Sequence, residues 1–181
     1  MCRQGATKYK ERTAMQIRPE RPEDISSIRA VNLAAFETST EADLVDALRE
    51  QAAPIVSLVA EEGDAIVGHI LFSPVTLVAH PELRILGLAP MAVLPARQRQ
   101  GIGSALIHEG LEQCRQRGFE AVIVLGHAEY YPRFGFTPAS RFGLACEYDV
   151  PEDVFMVLEL NRGVLNGKSG AIHYHFAFAN L

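Results

Sequence analysis

The sequence LRILGLAPMAVL at residues 83–94 continues directly into PARQRQGIG at 95–103 and then into SALIHEGLEQCRQR at 104–117. The first segment is an apolar run typical of a buried strand, and the last has the apolar spacing of an amphipathic helix. A strand that stops at a basic, glycine-spaced loop and restarts as a helix directs free backbone N–H groups and the positive end of the helix dipole to one point. Such a loop binds anionic phosphate, so the three segments predict a site for a ligand with a pyrophosphate.

Two other types of phosphate loop do not fit these residues. An NTPase loop needs Gly-Lys-Ser/Thr, whereas Gly101 is followed by Ile102 and Gly103. A dinucleotide-binding loop needs a third small residue and a carboxylate at the end of the next strand. Here the third position is Leu106, and the nearest acid, Glu120, opens that strand instead of closing it. The residues therefore disfavour both NTP hydrolysis and dinucleotide binding.

Pro90 lies inside the apolar strand. A proline removes a hydrogen-bond donor from the sheet and is tolerated mainly at strand edges or bulges. Because the residues around Pro90 are too apolar for an exposed edge, we expect a β-bulge there; the alternative is that Pro90 simply ends one strand. A bulge would separate this strand from its neighbour and free the backbone of residues 91–93 to pair with an extended ligand.

The pattern Gln98-x-x-Gly101-x-Gly103, placed after an apolar strand, resembles the acetyl-coenzyme A motif of the GNAT superfamily of N-acetyltransferases. The resemblance covers most of the chain, residues 15–160. It implies that the loop amides bind the pyrophosphate of acetyl-coenzyme A (acetyl-CoA) and that the preceding strand pairs with the pantetheine arm. The residues that it marks for cofactor binding are Met91, Ala92, Val93, Gln98, Arg99, Gln100, Gly101, Ile102, Gly103 and Ser104.

A second segment, GHAEYYPRFGF at 126–136, begins where the strand after this helix stops, and ligands of such sheets collect at the carboxyl ends of diverging strands. It resembles the GNAT pattern Tyr-x-x-x-Gly-Phe, whose tyrosine points at the cofactor sulfur, and this makes Tyr131 the candidate general acid. A phenol with a pKa of about 10 can protonate a departing thiolate with a pKa of about 8.5. The alternative for Tyr131 is an aromatic residue packed under the cofactor. Tyr130 is expected in the core or at the surface. Arg133 is expected at the surface, with contact to a cofactor phosphate as the alternative.

The base that deprotonates the amine is marked less clearly. Residues 86–89 have no titratable side chain at the place where some GNAT relatives have a glutamate. His127 is the first candidate, with capping of the next helix as the alternative, and Glu37 is the second; a water relay is a further option. Cys114 is expected to pack in the core, which favours direct transfer in a ternary complex over a covalent acyl-enzyme.

Composition limits the function classes. The chain has 181 residues, 48% of them hydrophobic, which predicts a single domain over residues 15–181, and residues 1–14 are expected to be a disordered leader. The net charge of −5 argues against nucleic-acid or anionic-membrane binding. Cys2, Cys114 and Cys146 lack metal-ligand spacing, so we expect free thiols in a reducing compartment, no metal and a cytoplasmic protein.

The apolar periodicities in the rest of the chain predict further helices and strands. Helices are expected to begin at Pro22 and at Ser39 or Thr40, and a short helix is expected over residues 128–134. The expected strands are residues 15–19, 57–62, 65–78, 84–94, 119–125 and 154–160, and the tail at 171–178 adds or covers an edge strand. The predicted fold class is α/β, with a GNAT-like mixed, twisted central sheet of about six to seven strands and helices on both faces.

Three functions are compatible with these patterns. The first is an N-acetyltransferase that uses acetyl-CoA and an amine acceptor, which could be a small molecule or a protein amine. The second is a non-catalytic acyl-CoA-binding sensor, suggested by the missing carboxylate in residues 86–89. The third, a nucleotide-binding structural protein, explains the loop but not the Tyr131 segment. The expected acceptor loops, residues 36–40, 86–88 and 140–149, have no concentrated charge, and the sequence leaves open whether a strand near the C-terminus forms a homodimer.

Overall fold

The computed structural model describes residues 14–180, so that nearly all of the expected leader at 1–14 lies outside the described residues. Three α-helices are present in this range: α1 (Ile25–Ala35), α2 (Thr40–Gln51) and α3 (Ile102–Gln116). The strands in the same range are β1 (Gln16–Pro19), β2 (Val56–Glu62), β3 (Ala65–Leu77), β4 (Ile85–Val93), β5 (Ala121–Leu125), β6 (Thr137–Pro138), β7 (Leu144–Cys146), β8 (Phe155–Glu159) and β9 (Gly170–His173). Within residues 14–180, no helix combines the length and apolarity that a membrane crossing requires.

The strands form one mixed sheet in the order β1-β2-β3-β4-β5-β8-β6. The pair β4 and β5 is parallel and is connected through α3, whereas the other neighbours in this order are antiparallel. β9 pairs with the end of β3 and with β7, which confirms that the tail adds a strand. The mixed α/β sheet is therefore as predicted, and the short strands β6 and β7 are additions to it.

Apolar side chains point to both faces of the central strands, which explains why helices cover both faces of the sheet. On β2, Leu58 packs in the cluster that includes the apolar face of α3, whereas the next residue, Val59, packs with α1 and α2. Successive side chains of a strand point to opposite faces, so a strand that is apolar at every position must be covered twice. The predicted sheet-facing side of α3 is confirmed, since all five of its members are buried: Ile102, Leu106, Ile107, Leu111 and Cys114.

The short helix expected at residues 128–134 is only partly present. Residues 128–130 form a turn, followed by a single 3-10 turn at Tyr131–Phe134. Pro132 lies inside this turn and Gly135 ends it with a φ of 93°, a left-handed conformation that stops a helix. The segment is consequently compact, and it turns its aromatic side chains back toward the sheet.

β4 contains the bulge that Pro90 predicts. Ile70 of β3 pairs with Met91 and Phe72 pairs with Leu88, so β4 has one residue more than β3 across this interval. The pairing of β4 with β5 extends only to Leu88. Beyond the bulge, the two parallel strands separate.

A buried polar cluster attaches α2 to the sheet. Glu20 accepts a hydrogen bond from Arg49 of α2 at 2.7 Å and another from Ser57 of β2, and Ser57 lies 2.9 Å from the fully buried imidazole of His69. Burial alone would raise the pKa of Glu20, but the nearby His69 imidazole and the hydrogen bonds from Arg49 and Ser57 outweigh it and lower that pKa to about 2. The ionised Glu20 carboxylate therefore joins the end of β1 to α2.

We predict that Glu20→Gln lowers the free energy of unfolding at pH 7 by about 1–3 kcal/mol, because the partners of a partly buried carboxylate lose their charged acceptor. The stability from ionised Glu20 is fully present above its ordinary pKa of 4.5 and is lost as the pH falls toward about 2. Urea titrations from pH 7 to pH 2 should therefore show the wild type and the variant converging in acid. Glu50→Gln, at the exposed end of α2, is the matched control; a constant difference between Glu20→Gln and wild type across this range would contradict the assignment.

Candidate functional site

Two adjoining cavities of about 730 and 560 Å³ follow β4 past its bulge, and both have Met91 and Tyr130 in their walls. The smaller cavity lies against residues 97–104, the loop before α3 and the start of that helix. The larger cavity extends past the end of β5 to α2 and the C-terminal tail. Together they make a groove with two chemically different ends.

The start of α3 provides a set of backbone donors at the smaller cavity. Gly101 precedes the helix with a φ of 85°, a left-handed conformation that favours glycine. The first hydrogen bond of the helix runs from the Ala105 N–H to the Gly101 carbonyl at 3.0 Å, so the N–H groups of Ile102, Gly103 and Ser104 have no carbonyl one turn earlier. The first turn contains no acidic residue, and this end of the helix therefore suits an anion.

Arginines add positive charge to the same cavity, which is lined by Arg97, Arg99 and Arg133. The Arg133 guanidinium stacks on the Tyr130 ring at 4.9 Å and donates a hydrogen bond to the Ser104 hydroxyl at 3.3 Å. Arg133 is exposed, as expected, and it is also part of the wall of the smaller cavity. Its position depends on the 3-10 turn, which local sequence patterns did not predict.

The exposed backbone of β4 forms the floor between the two ends. The Leu94 N–H donates to the Val67 carbonyl of β3 at 2.9 Å, and the bonds of an antiparallel pair alternate along the strand. Ala92 therefore directs its N–H and C=O toward β3, whereas Met91 and Val93 direct theirs into the gap beside β5. The Gln98 side chain donates to the Val93 carbonyl at 3.1 Å and connects the loop to this floor.

Eight of the ten residues expected to bind the cofactor line the smaller cavity: Met91, Val93, Gln98, Arg99, Gly101, Ile102, Gly103 and Ser104. The other two lie outside it. Ala92 is buried, and the Gln100 side chain donates to the Ala96 carbonyl at 3.2 Å. Both positions support the shape of the loop and strand and do not face the groove.

Tyr131 lines the larger cavity where β5 ends. Its ring packs against Gly126 so closely that a Cβ on Gly126 would lie 2.1 Å from the ring atom Cε2, and it makes edge contacts with Tyr130 and Phe136. Burial, and secondarily the neighbouring Tyr130, raises the pKa of Tyr131 to about 12. Tyr131 is therefore a neutral phenol, able to donate a proton, throughout the physiological pH range.

Tyr130 is half-buried against the main core, as expected, and it also borders the groove. It lies in the walls of both cavities, and its hydroxyl is 3.1 Å from the position that a Cβ on Gly103 would occupy. The two adjacent tyrosines thus diverge: the Tyr130 hydroxyl lies beside Gly103 at the smaller cavity, and Tyr131 lines the larger one.

His127 follows β5 and its exposed side chain lines the larger cavity. Its carbonyl accepts hydrogen bonds from the N–H groups of Tyr130 at 3.0 Å and Tyr131 at 3.4 Å, so the backbone caps the turn while the imidazole stays at the cavity. Glu37 is exposed and lines neither cavity. Between the two candidate bases, the geometry favours His127.

The cysteines are not arranged for chemistry in the described part of the chain. Cys114 is buried on the sheet-facing side of α3. Burial raises the pKa of its thiol to about 12, which fits core packing. Cys146 is also a free thiol, and Cys2 lies outside the described residues. Within residues 14–180, no group of three or more His, Cys, Asp or Glu side chains is arranged to hold a metal ion.

The far wall of the larger cavity comes partly from elements outside the expected acceptor loops. Phe36, Leu88 and Tyr148 belong to the predicted segments and do line it. The structure adds residues of α2 and of the C-terminal tail: Glu41, Leu44, Tyr174, Phe178 and Ala179. Glu41 occupies the first turn of an amphipathic helix, and at such a position the sequence cannot distinguish a solvent-facing acid from one that faces a cavity.

Comparison with known proteins agrees with this geometry. The model of the Acetyltransferase (GNAT) family matches residues 23–136. The uncharacterized N-acetyltransferase YhbS of Escherichia coli (strain K12) is 38% identical over 165 residues, which cover 91% of this chain and 98% of that protein.

Two solved structures have the same fold and substantial sequence identity. One is the E. coli GNAT family N-acetyltransferase YhbS in complex with CoA, with a TM-score of 0.86 and 36% identity over 91% of this chain and 92% of that one. The other is a GNAT family acetyltransferase from Brucella melitensis in complex with acetyl-CoA, with a TM-score of 0.76 and 40% identity over 92% and 99% of the two chains. The separated strands, the glycine loop and these similarities together establish that the chain belongs to the GNAT family of N-acetyltransferases.

Proposed function

We propose that the protein transfers the acetyl group of acetyl-CoA to a primary amine by direct attack in a ternary complex. The observation that supports this most directly is the groove between β4 and β5, which has anion-binding backbone N–H groups at one end and the neutral Tyr131 phenol at the other. The similar E. coli structure contains CoA and the similar Brucella structure contains acetyl-CoA, which supports acetyl-CoA as the donor.

In this proposal, the pyrophosphate binds to the N–H groups of Ile102, Gly103 and Ser104, with Arg99 and Arg133 adding charge-assisted contacts. The pantetheine arm pairs with the backbone N–H and C=O of Met91 and with the backbone N–H of Val93 in the manner of an added strand. This register directs the thioester toward the larger cavity, where the acceptor enters.

The acceptor ammonium first loses a proton to His127. The free nitrogen then forms a bond to the acetyl carbonyl carbon, the carbon–sulfur bond breaks, and the departing thiolate takes the proton of the Tyr131 hydroxyl. On becoming an amide, the nitrogen releases one proton to solvent. The Tyr131 phenoxide takes up one proton from solvent, which restores the phenol. The products are the N-acetylated acceptor and free CoA.

A second candidate, a non-catalytic acyl-CoA sensor, is favoured by one observation: β4 has no carboxylate in residues 86–89. Both candidates require CoA binding, but only the enzyme releases CoA thiol in proportion to an added amine. A panel of primary amines, assayed for thiol release with acetyl-CoA, separates the two. Measurable turnover with any amine supports the enzyme, and tight CoA binding without turnover on the whole panel supports the sensor.

Gly101→Asp should raise the Kd for CoA by about 100-fold, because the side chain adds a negative charge in front of the phosphate site and a Cβ in a left-handed conformation. Gly101→Asn is the matched control, since it has the same shape without the charge and asparagine tolerates this conformation better. Isothermal titration with CoA should therefore rank wild type, Gly101→Asn and Gly101→Asp in order of weakening affinity. Equal effects of the two substitutions would argue against a phosphate at this loop.

Tyr131→Phe should lower kcat by about 100-fold while the Kd for CoA stays nearly unchanged, because the ring packing against Gly126 is kept and only the proton donor is lost. Tyr130→Phe, which removes the neighbouring hydroxyl, should leave kcat close to the wild-type value. Steady-state thiol release and CoA titration give both quantities. If Tyr130→Phe is the slow variant instead, the acid role passes to Tyr130.

His127→Gln should lower kcat by at least about tenfold at neutral pH, because glutamine cannot accept the ammonium proton. The exposed His173 in β9 is a suitable control, and His173→Gln should have no effect on kcat. CoA affinity should be unchanged in both. A wild-type kcat for His127→Gln would indicate that a water relay, and not His127, accepts the ammonium proton.

A further inference from the structure

We infer that the acceptor is a small primary amine attached to an apolar, preferably aromatic, body, and that the Glu41 carboxylate binds its ammonium group. This inference rests on the proposed acetyl transfer and names the class of acceptor that the larger cavity selects. It depends on three features of that cavity: its aromatic walls, its single acidic side chain and two unsatisfied polar atoms.

The walls of the larger cavity are mainly apolar and aromatic. The cavity holds about 730 Å³, part of which must receive the acetyl end of the donor, so the remaining space suits a small molecule. The residues on the acceptor side of this space are Phe36, Leu44, Tyr148, Val150, Tyr174 and Phe178.

Glu41 is the single acidic residue among the described residues that line the larger cavity, and neither lysine nor arginine is among them. Its Oε2 atom is buried and, within residues 14–180, has no hydrogen-bond partner. Leaving a polar atom buried without a partner is unfavourable, and it is more so for a charged group. A cationic ligand in the cavity would supply both the hydrogen bond and the opposite charge.

Tyr174 contributes the second unsatisfied atom. Its hydroxyl is buried without a partner in the described part of the chain, and its ring contacts Tyr148 and Phe178 with centroids 5.8 and 5.2 Å apart. A Cβ on Gly87 of β4 would lie 3.2 Å from the Tyr174 ring, so the tail occupies the space above β4 that a side chain at position 87 would need. The three aromatic rings form a surface for an apolar body and also attract an ammonium group through their faces.

This arrangement excludes several other amines. An amino acid has a carboxylate next to its amine, which would be repelled by Glu41. A polyamine has several positive charges for a single carboxylate, and its remaining charges would be desolvated against aromatic walls. A small hydrophilic amine satisfies Glu41 but leaves the aromatic surface uncovered.

The first test measures kcat/KM by thiol release with acetyl-CoA and five acceptors: 2-phenylethylamine, L-phenylalanine, ethanolamine, spermidine and the peptide Phe-Ala-Ala-amide. We expect the kcat/KM for 2-phenylethylamine to exceed that for each of the other acceptors by about tenfold or more. A difference of this size corresponds to burial of one aromatic ring or avoidance of one charge conflict. The peptide represents a protein N-terminus. Because the peptide and 2-phenylethylamine both present an amine near a phenyl group, comparing their kcat/KM values distinguishes a small-molecule acceptor from a protein N-terminus.

The second test uses two variants and one control. Glu41→Gln should raise the KM for 2-phenylethylamine by about tenfold, leave the Kd for CoA unchanged and reduce the preference for 2-phenylethylamine over L-phenylalanine, because the repulsion disappears. Tyr174→Phe, which keeps the ring, should raise the same KM by about threefold without lowering Tm. Glu50→Gln in the same helix should match the wild type in every measurement.

The outcomes separate this inference from the proposed function. If spermidine, ethanolamine or the peptide is acetylated as well as 2-phenylethylamine, or if Glu41→Gln leaves both the KM and the preference unchanged, the acceptor class is wrong while acetyl transfer stands. If CoA binds and no amine is acetylated, both proposals fail. The ranking of the five acceptors by the wild type and the KM of Tyr174→Phe test the acceptor class even if Glu41→Gln does not fold.

Discussion

The separation of β4 from β5 is the constraint on which the rest of the site depends. In an uninterrupted sheet, the backbone groups of Met91 and Val93 would pair with a neighbouring strand. The bulge at Pro90 ends that pairing after Leu88, so polar backbone groups remain open in the middle of an apolar sheet. Unpaired backbone groups in such a place are unfavourable unless a ligand, side chain or water satisfies them. The proposed cofactor, pairing like a strand, would complete the sheet.

The two ends of the groove are joined through the core, and stability and function are therefore linked. The loop before α3 follows β4, the Tyr131 turn follows β5, and α2 closes the far side. The ionised Glu20, held by Arg49 and Ser57, attaches α2 to the sheet. Because Glu41 occupies the first turn of that helix, the same partly buried ion pair that stabilises the fold also helps to set the position of the carboxylate proposed to bind the acceptor.

Most of the fold and the loop that lines the smaller cavity could be predicted because their signals are local. The apolar spacing of α3, the continuous apolar run of β5 and the proline inside β4 each act over a few residues. The short helix expected at residues 128–134 is only partly present, because Pro132 and Gly135 limit it to one 3-10 turn at Tyr131–Phe134. The strands β6 and β7 escaped prediction because two or three residues are too few to show a periodicity.

By itself, the sequence determined the class of the protein: a mixed sheet, a bulged strand, a glycine loop for an anion and a tyrosine at the end of the next strand. Only the tertiary structure decided which distant side chains line the larger cavity. Glu41 and Tyr174 are far apart in the chain and show no shared pattern, yet both line one cavity. Their meeting depends on how α2 and the tail pack against the sheet, and packing depends on the shapes of many residues at once, which no short stretch of sequence contains.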